Sequence, residues 1–489
     1  MATDDAVQKS EVDEADGGTI PKHGTSGLLV LANRLPVRRV TSPEGTHWET
    51  SPGGLVTALS PVLSQRSDAM WLGWSGTTGT DEEEPLVVDG LALAPVPLSR
   101  GEVELFYEGF ANRTLWPLYH DSIVRSEYHR TWWDAYRAVN RRFAKAAALW
   151  AAPGAVVWVH DYHLQLVPGM LRELRPDLRI GFFLHIPFPP VELFLQLPWR
   201  RTITEGLLGA DVGRFQTQGG AADFRSLAAL VADAKVEVSN VRLPDEAGGR
   251  TIRVETFGIG VDTATLEQMA TDPEMIDRAR EVRQSLGNPE RILLGVDRLD
   301  YTKGLARRLR AFRELLEEDR LTVGRHVFIQ VAEPTRENVS DYADFRDRID
   351  RMVGEINGHY GEVGAVPMQY LHRHHSLDEL VALYLAADVM LVTAVRDGMN
   401  LVCKEYVATR VDNTGALVLS EFAGAAETMG DALMVNPYDI DGLKLAIERA
   451  VNMPVDEQHR RMSLLRQSVI DSDVHRWAED WLDALGVDR

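Results

Sequence analysis

Short apolar runs alternate with helical patterns along most of the chain. Runs at 28–33 (LLVLAN), 155–161 (AVVWVHD) and 179–185 (RIGFFLH) alternate with an amphipathic stretch near 130–150 and a helical pattern near 164–174. The alternation resumes with 291–297 (RILLGVD), a helix over about 304–319, 326–332 (HVFIQVA) and a long helix near 337–357. It closes with 388–393 (DVMLVT), a helix after 399 and 416–421 (ALVLSE). Continuous Val/Ile/Leu strands between helices mark parallel sheets covered on both faces. The pattern predicts an α/β fold with two doubly wound, Rossmann-like parallel sheets facing a deep inter-domain cleft.

The two series are separated by ETFGIGVD (255–262), whose glycines predict a hinge. We divide the chain into a Rossmann-like domain over 27–258, a second over 259–470, and a closing helix at 471–489 that packs back on the first. Residues 1–26 are rich in Asp, Glu and Gly and have almost no apolar periodicity, which predicts a disordered acidic tail. Ligands of open α/β folds bind beyond the carboxyl ends of the strands, so residues just after strands are the ones to search.

Composition narrows the partners. The 489 residues are 45% hydrophobic and 26% charged, with a formal net charge of −21. That field repels phosphate backbones and anionic headgroups, so nucleic acid and membrane surfaces are poor partners. An anionic small-molecule site must then be made by local basic residues. Cys403 is the only cysteine, which excludes an intramolecular disulfide and fits a reducing, cytoplasmic setting. No stretch reaches the length of a membrane span, and the N-terminus lacks a signal-peptide layout. A homo-oligomer is compatible with this composition.

Several segments put charged groups where a strand ends. GVDRLDYTKGL (295–305) follows a strand and opens a helix, pointing Arg298, Lys303 and a helix N-terminus at one anion. It matches neither the Walker loop nor the dinucleotide glycine fingerprint. RDGMNLVCKEY (396–406) sets Asp397 at a helix start and Glu405 two turns deeper on an otherwise apolar helix. HDYHL (160–164) and FFLHIPFP (182–189) end strands with His160, Asp161, His163 and His185. A zinc site from these histidines is the weaker reading, because their spacing does not match a helical HExxH pair. NRLPV (33–37) places Arg34 after the first strand, and SPGGL (51–55) supplies a Gly pair. WLGWSG (71–76), Tyr107 and LWPLYH (115–120) offer aromatic surface of the kind that stacks on sugar rings.

Taken together, SPGGL, HDYHL, FFLHIPFP, DRLDYTKG and RDGMNLVCKEY, in this order and at these separations, resemble the trehalose-6-phosphate synthases. These are retaining glycosyltransferases built from two Rossmann-like domains (GT-B type), and the resemblance runs from about Leu28 to the end. It implies transfer of glucose from a nucleotide-diphosphate-glucose (UDP- or ADP-glucose) to glucose 6-phosphate, with retention and without metal or other cofactor. The first domain would be the acceptor side and the second the nucleotide-sugar side.

Carried over residue by residue, the resemblance puts the donor diphosphate on Arg298 and Lys303. The donor glucose falls to Asp397 and the backbone of Gly398, Met399 and Asn400. Glu405 would bind the ribose, with Leu401 and Val402 on the nucleotide. Arg34, Tyr107, Trp116 and Arg336 would clamp the acceptor phosphate, Asp161 the acceptor hydroxyls, and His185 would stand beside the reacting centre. Gly53 and Gly54 would form a mobile glycine loop and Trp74 a neighbouring wall. The catalytic set on this reading is His185, Asp161, Arg298, Lys303 and Asp397, with no metal ligand. Two rivals stand beside it. One is a related retaining enzyme with another acceptor, such as a glucosylglycerol-phosphate synthase; the other is a catalytically silent sugar-phosphate sensor.

Overall fold

The computed structural model describes residues 19–42, 45–50, 54–79, 83–336 and 339–487. The acidic segment 1–18 and Gly53 lie outside them. Two large sheets carry the fold, and both are built around parallel strands.

In the first sheet the strand Ser26–Arg34 lies between Ala69–Trp74 and Ala151–His160, parallel to both. Beyond Ala151–His160 follow Arg179–Leu184, Val212–Phe215 and Thr251–Thr256, also parallel. The short hairpin Lys235–Glu237 and Asn240–Arg242 adds antiparallel strands at that edge, and Leu86–Val88 does so at the other. The second sheet is parallel throughout: Arg291–Arg298 lies between His326–Glu333 and Val389–Val392, with Met368–Leu371, Ala416–Ser420 and Leu433–Val435 outside them.

Strand order reverses once in each sheet, between Ser26–Arg34 and Ala151–His160 and between Arg291–Arg298 and Val389–Val392. Such switch points splay the two following loops apart and open a crevice at the carboxyl ends. Arg34 and Arg298 end two of these four strands, and Asp161 and Asp397 follow the other two. The apolar strands therefore deliver the polar residues to one place.

The helices agree with the periodicity. Arg130–Trp150 buries Trp133, Tyr136, Val139, Phe143 and Ala147 on one face, as the amphipathic stretch predicts. Leu305–Glu317, Ser340–Tyr360 and Leu401–Thr409 follow their strands. Several elements have no counterpart in the sequence reading, the helices Gln218–Ala232 and Pro273–Ser285 among them; beside the site, Val103–Leu115 winds in wide, π-type turns before the short helix Trp116–Tyr119. No helix of the described residues is long and apolar enough to cross a membrane.

The last helix, Val474–Ala484, lies on the first sheet. Trp477 and Trp481 pack 5.2 and 5.0 Å from the ring of Trp158, and Arg179 donates to the carbonyls of Leu485 and Gly486 at 3.2 and 3.1 Å. Its approach explains a glycine: a Cβ on Gly181 would stand 2.8 Å from Leu485 Cδ1. The glycines of the expected hinge are explained in the same way. A Cβ on Gly258 would collide with Met399, and one on Gly260 with the Ser472 carbonyl, while neither takes a positive φ. Close packing, rather than backbone freedom, is what requires glycine there.

Candidate active site

A cavity of about 830 Å³ opens between the two switch points. Arg34, Tyr107, Trp116, Asp161, His185, Arg298, Arg336 and Asp397 all line it, so residues up to 363 positions apart in the chain meet in one place. Trp74, Lys303, Leu401, Val402 and Glu405 stand outside the lining.

Arg34 ends the first strand with its guanidinium 4.1 Å from the ring centroid of Trp74, a cation–π contact. Trp74 is buried and its indole N–H donates to the Thr77 carbonyl at 2.6 Å, so it supports Arg34 from behind. Gly76 clears the space for that guanidinium: a Cβ there would collide with Nη1. Burial lowers the Arg34 pKa from its usual value, partly offset by Tyr107.

Trp116 is the platform of the site. Arg336 stands 3.7 Å and Arg298 5.4 Å from its ring centroid. Arg336 donates to Asp300 Oδ2 and to the Tyr162 hydroxyl, both at 3.2 Å, and also bonds Tyr342. Among the described residues Arg336 pairs with Asp300, which is completely buried; Glu337, its neighbour in VAEPTREN (331–338), lies outside them. Burial would raise the Asp300 pKa, but Arg336 and Arg298 outweigh it and hold the carboxyl below its usual range. Tyr162 belongs to the first sheet's half and Arg336 to the second's, so the two halves are bonded across the cavity.

Asp161 follows the strand Ala151–His160 with φ 71°, and its Oδ1 accepts from the His185 N–H at 3.1 Å. Burial raises its pKa to about 6, against the backbone donors and the two arginines. His185 is bonded to His160, Nε2 to Nδ1 at 3.1 Å, and burial drops its pKa to about 3, which leaves it neutral. Asn400 (φ 81°) and Arg336 (φ 49°) share the left-handed backbone of Asp161. Each such non-glycine position stores about 1–3 kcal/mol, and such strain gathers at functional sites.

On the second sheet's side, Lys303 does not stand free. Its Nζ is 2.6 Å from Asp397 Oδ2, with both side chains largely buried, because a desolvated ammonium needs a counter-charge. Asn400 Nδ2 donates to the same carboxylate at 3.1 Å and its Oδ1 accepts from the Cys403 N–H at 3.0 Å, which caps the helix Leu401–Thr409. Asp397 is therefore not the N-cap. Its pKa, raised by burial, is brought below normal by Lys303. A Cβ on Gly398 would collide with the His185 carbonyl, so this glycine lets the two halves touch. Glu405 lies deeper on the helix, where the Tyr384 hydroxyl donates to it at 2.8 Å and burial raises its pKa. Gly54 opens the helix Gly54–Ser64.

Asp300, Tyr162 and His120 are parts of the site that sequence reasoning did not assign. All three lie inside the quoted motifs DRLDYTKG, HDYHL and LWPLYH, and that membership was the available signal. Among the described residues no cluster of three or more His, Cys, Asp or Glu could hold a metal ion.

Comparison with known proteins gives the family and the fold. The sequence model of glycosyltransferase family 20 matches residues 26–486. The trehalose-6-phosphate synthase of Mycolicibacterium smegmatis is 55% identical over 470 residues, covering 95% of this chain and 93% of its own. Among solved structures, the UDP-forming α,α-trehalose-phosphate synthase of Burkholderia xenovorans in complex with glucose 6-phosphate is 34% identical. It superposes with a TM-score of 0.85, covering 94% of this chain and 100% of that one. The E. coli relative bound with UDP-2-fluoro glucose is 32% identical with a TM-score of 0.85, over 94% of this chain and 99% of its own.

Proposed function

The chain belongs to glycosyltransferase family 20, and from that premise and the site we propose that it transfers glucose from a nucleotide-diphosphate-glucose to glucose 6-phosphate. The product is α,α-trehalose 6-phosphate, formed with retention. Relatives named UDP-forming, or bound with a UDP-glucose analogue, favour UDP-glucose as the donor. The observation that carries the reading is the meeting of Arg34, Tyr107, Trp116 and Arg336 at one cavity, where two guanidiniums and a phenol can hold a phosphate. A sugar polymer or a free polyol would need no such clamp.

On this reading residues 27–258 form the acceptor side and 259–470 the donor side. Breaking the bond to the diphosphate builds negative charge on the leaving group, and fixed cations there lower the barrier. Arg298 supplies one directly. Lys303 supplies a second once the diphosphate competes with Asp397, which then turns to the glucosyl hydroxyls with the backbone of Gly398, Met399 and Asn400. Glu405 takes the ribose. Asp161, ionised above about pH 6, accepts from the acceptor hydroxyls. A neutral His185 positions the glucosyl unit through hydrogen bonds. A leaving-group phosphate oxygen takes the acceptor proton, so no carboxylate acts as nucleophile. Because the cations are protein groups, turnover needs no metal.

The test is to incubate the protein with UDP-, ADP- or GDP-glucose and glucose 6-phosphate and to follow the product by NMR. The reading expects α,α-linked trehalose 6-phosphate with at least one donor. No transfer from any donor, or transfer to glycerol 3-phosphate instead, would overturn it.

A further inference from the structure

His120 closes the short helix Trp116–Tyr119, where its backbone N–H donates to the carbonyls of Trp116 and Pro117 at 3.1 Å. Its imidazole stacks on Trp116 with ring centroids 4.1 Å apart and an interplanar angle of 30°. The ring Nδ1 lies 2.8 Å from the Trp116 carbonyl oxygen. That oxygen can only accept, so Nδ1 carries the proton, and a neutral ring then holds its lone pair at Nε2. Burial takes the pKa of the ring down to about 4, against the pull of Asp300 and Asp397, so it is neutral in the physiological range. The residue is 2% exposed and yet lines the cavity, and among the described residues Nε2 has no protein partner. By contrast, Nε2 of His160 and of His163 is buried from solvent, although both residues also line the cavity.

The neighbours say which substrate the lone pair meets. The charges acting on His120 are Asp300, Asp397 and Lys303, whereas those acting on His163 are Arg336 and Arg34. His120 is thus within electrostatic reach of the Lys303–Asp397 pair, whose Asp397 lines the same cavity. The groups a glucosyl ring presents there are hydroxyls, which can donate to a neutral acceptor.

We propose that His120 Nε2 accepts a hydrogen bond from a hydroxyl of the transferred glucosyl unit, which makes it a specificity-determining residue for the donor sugar. The inference rests on the glycosyl-transfer reading above. It is tested with UDP-glucose and its 3-deoxy, 4-deoxy and 6-deoxy forms, with glucose 6-phosphate as acceptor. Wild type is compared with His120→Phe and His120→Gln, reading kcat/KM for each donor and thermal melting for the fold. Wild type should lose about 3- to 10-fold on one of the deoxy donors, the worth of a neutral hydrogen bond. His120→Phe should lose a similar factor on UDP-glucose, then lose nothing further on that same deoxy donor, with KM for glucose 6-phosphate unmoved. His120→Gln, whose amide oxygen can accept, should recover part of the sensitivity. Should the phenylalanine variant not melt cooperatively, His120→Asn, too short to reach, is expected to give the same flattened response.

Full retention of every deoxy penalty in the variants, or a loss confined to KM of glucose 6-phosphate, would overturn the inference while leaving the reaction in place. Absence of transfer by wild type would instead remove the reaction itself.

Discussion

Two arginines stand over one indole and are held in opposite ways. Arg336 is 3.7 Å from the centroid of Trp116, almost fully buried, and tied to Asp300, Tyr162 and Tyr342. Arg298 is 5.4 Å from the same ring, is exposed, and makes no ion pair among the described residues. The contrast separates two electrostatic tasks. A charge present throughout the reaction, such as an acceptor phosphate, is best met by a cation whose position the fold has already set. A charge that grows only as the bond to the leaving group breaks is best met by one whose interactions strengthen in the transition state.

The largest effect should therefore follow from the less anchored arginine. Arg298→Ala should lower kcat and kcat/KM together by on the order of 10²-fold or more, because the charge it meets appears in the transition state. Steady-state kinetics check this, and a rise in donor KM alone would reduce Arg298 to a binding residue.

Arg336→Ala should act on stability as well. Removing one partner of a buried ion pair leaves Asp300 uncompensated, a loss of about 3–5 kcal/mol. Adding Asp300→Asn should restore much of it, as read by denaturant unfolding. The corresponding substitution at the exposed Arg298 should change stability by less than about 0.5 kcal/mol.

Asp161 sharpens the comparison through pH. Its folded-state pKa of about 6 lies above the usual 3.8, because burial disfavours the charge. Such a group favours the folded state fully below about pH 4 and loses that contribution as pH rises through 6. Asp161→Asn should gain on wild type between those limits by up to about 3 kcal/mol, measured by urea unfolding at each pH. The acceptor kcat/KM of wild type should fall below pH 6, and the Asn variant should lack that limb.

The smallest expected effect is none: turnover should persist in excess EDTA, since Arg298 and Lys303 carry the charge that a metal would otherwise meet. Activity lost to EDTA and restored by Mg²⁺ or Mn²⁺ would sink that expectation.

The parallel sheets were legible in the chain because strands buried on both faces must be continuous Val/Ile/Leu runs, and the residues after them follow by topology. Arg34, Asp161, Arg298 and Asp397 were found that way. Partnerships across the fold were not legible. Lys303 and Asp397 are 94 residues apart and Arg336 and Tyr162 are 174 apart, so no local pattern couples them. The Arg336–Asp300 pair was hidden for another reason, since nothing in VAEPTREN marks which of its charges is desolvated. Val103–Leu115, which leads into the Trp116 platform, escaped because π-type turns break the 3.6-residue period on which helix recognition rests.

If the cavity clamps an acceptor phosphate, Arg34 and Arg336, one cation from each half, must meet on it. The direct measurement is the kcat/KM ratio of glucose 6-phosphate to free glucose, in wild type, Arg34→Ala and Arg336→Lys, with one nucleotide-sugar donor. Wild type should prefer glucose 6-phosphate by several orders of magnitude, and each substitution should shrink that ratio by about 10-fold or more, the worth of a charge-assisted bond. Binding of the nucleoside diphosphate alone should stay nearly unchanged. A ratio that neither substitution alters would contradict the clamp and leave the two arginines as structural residues of a site that reads something other than phosphate.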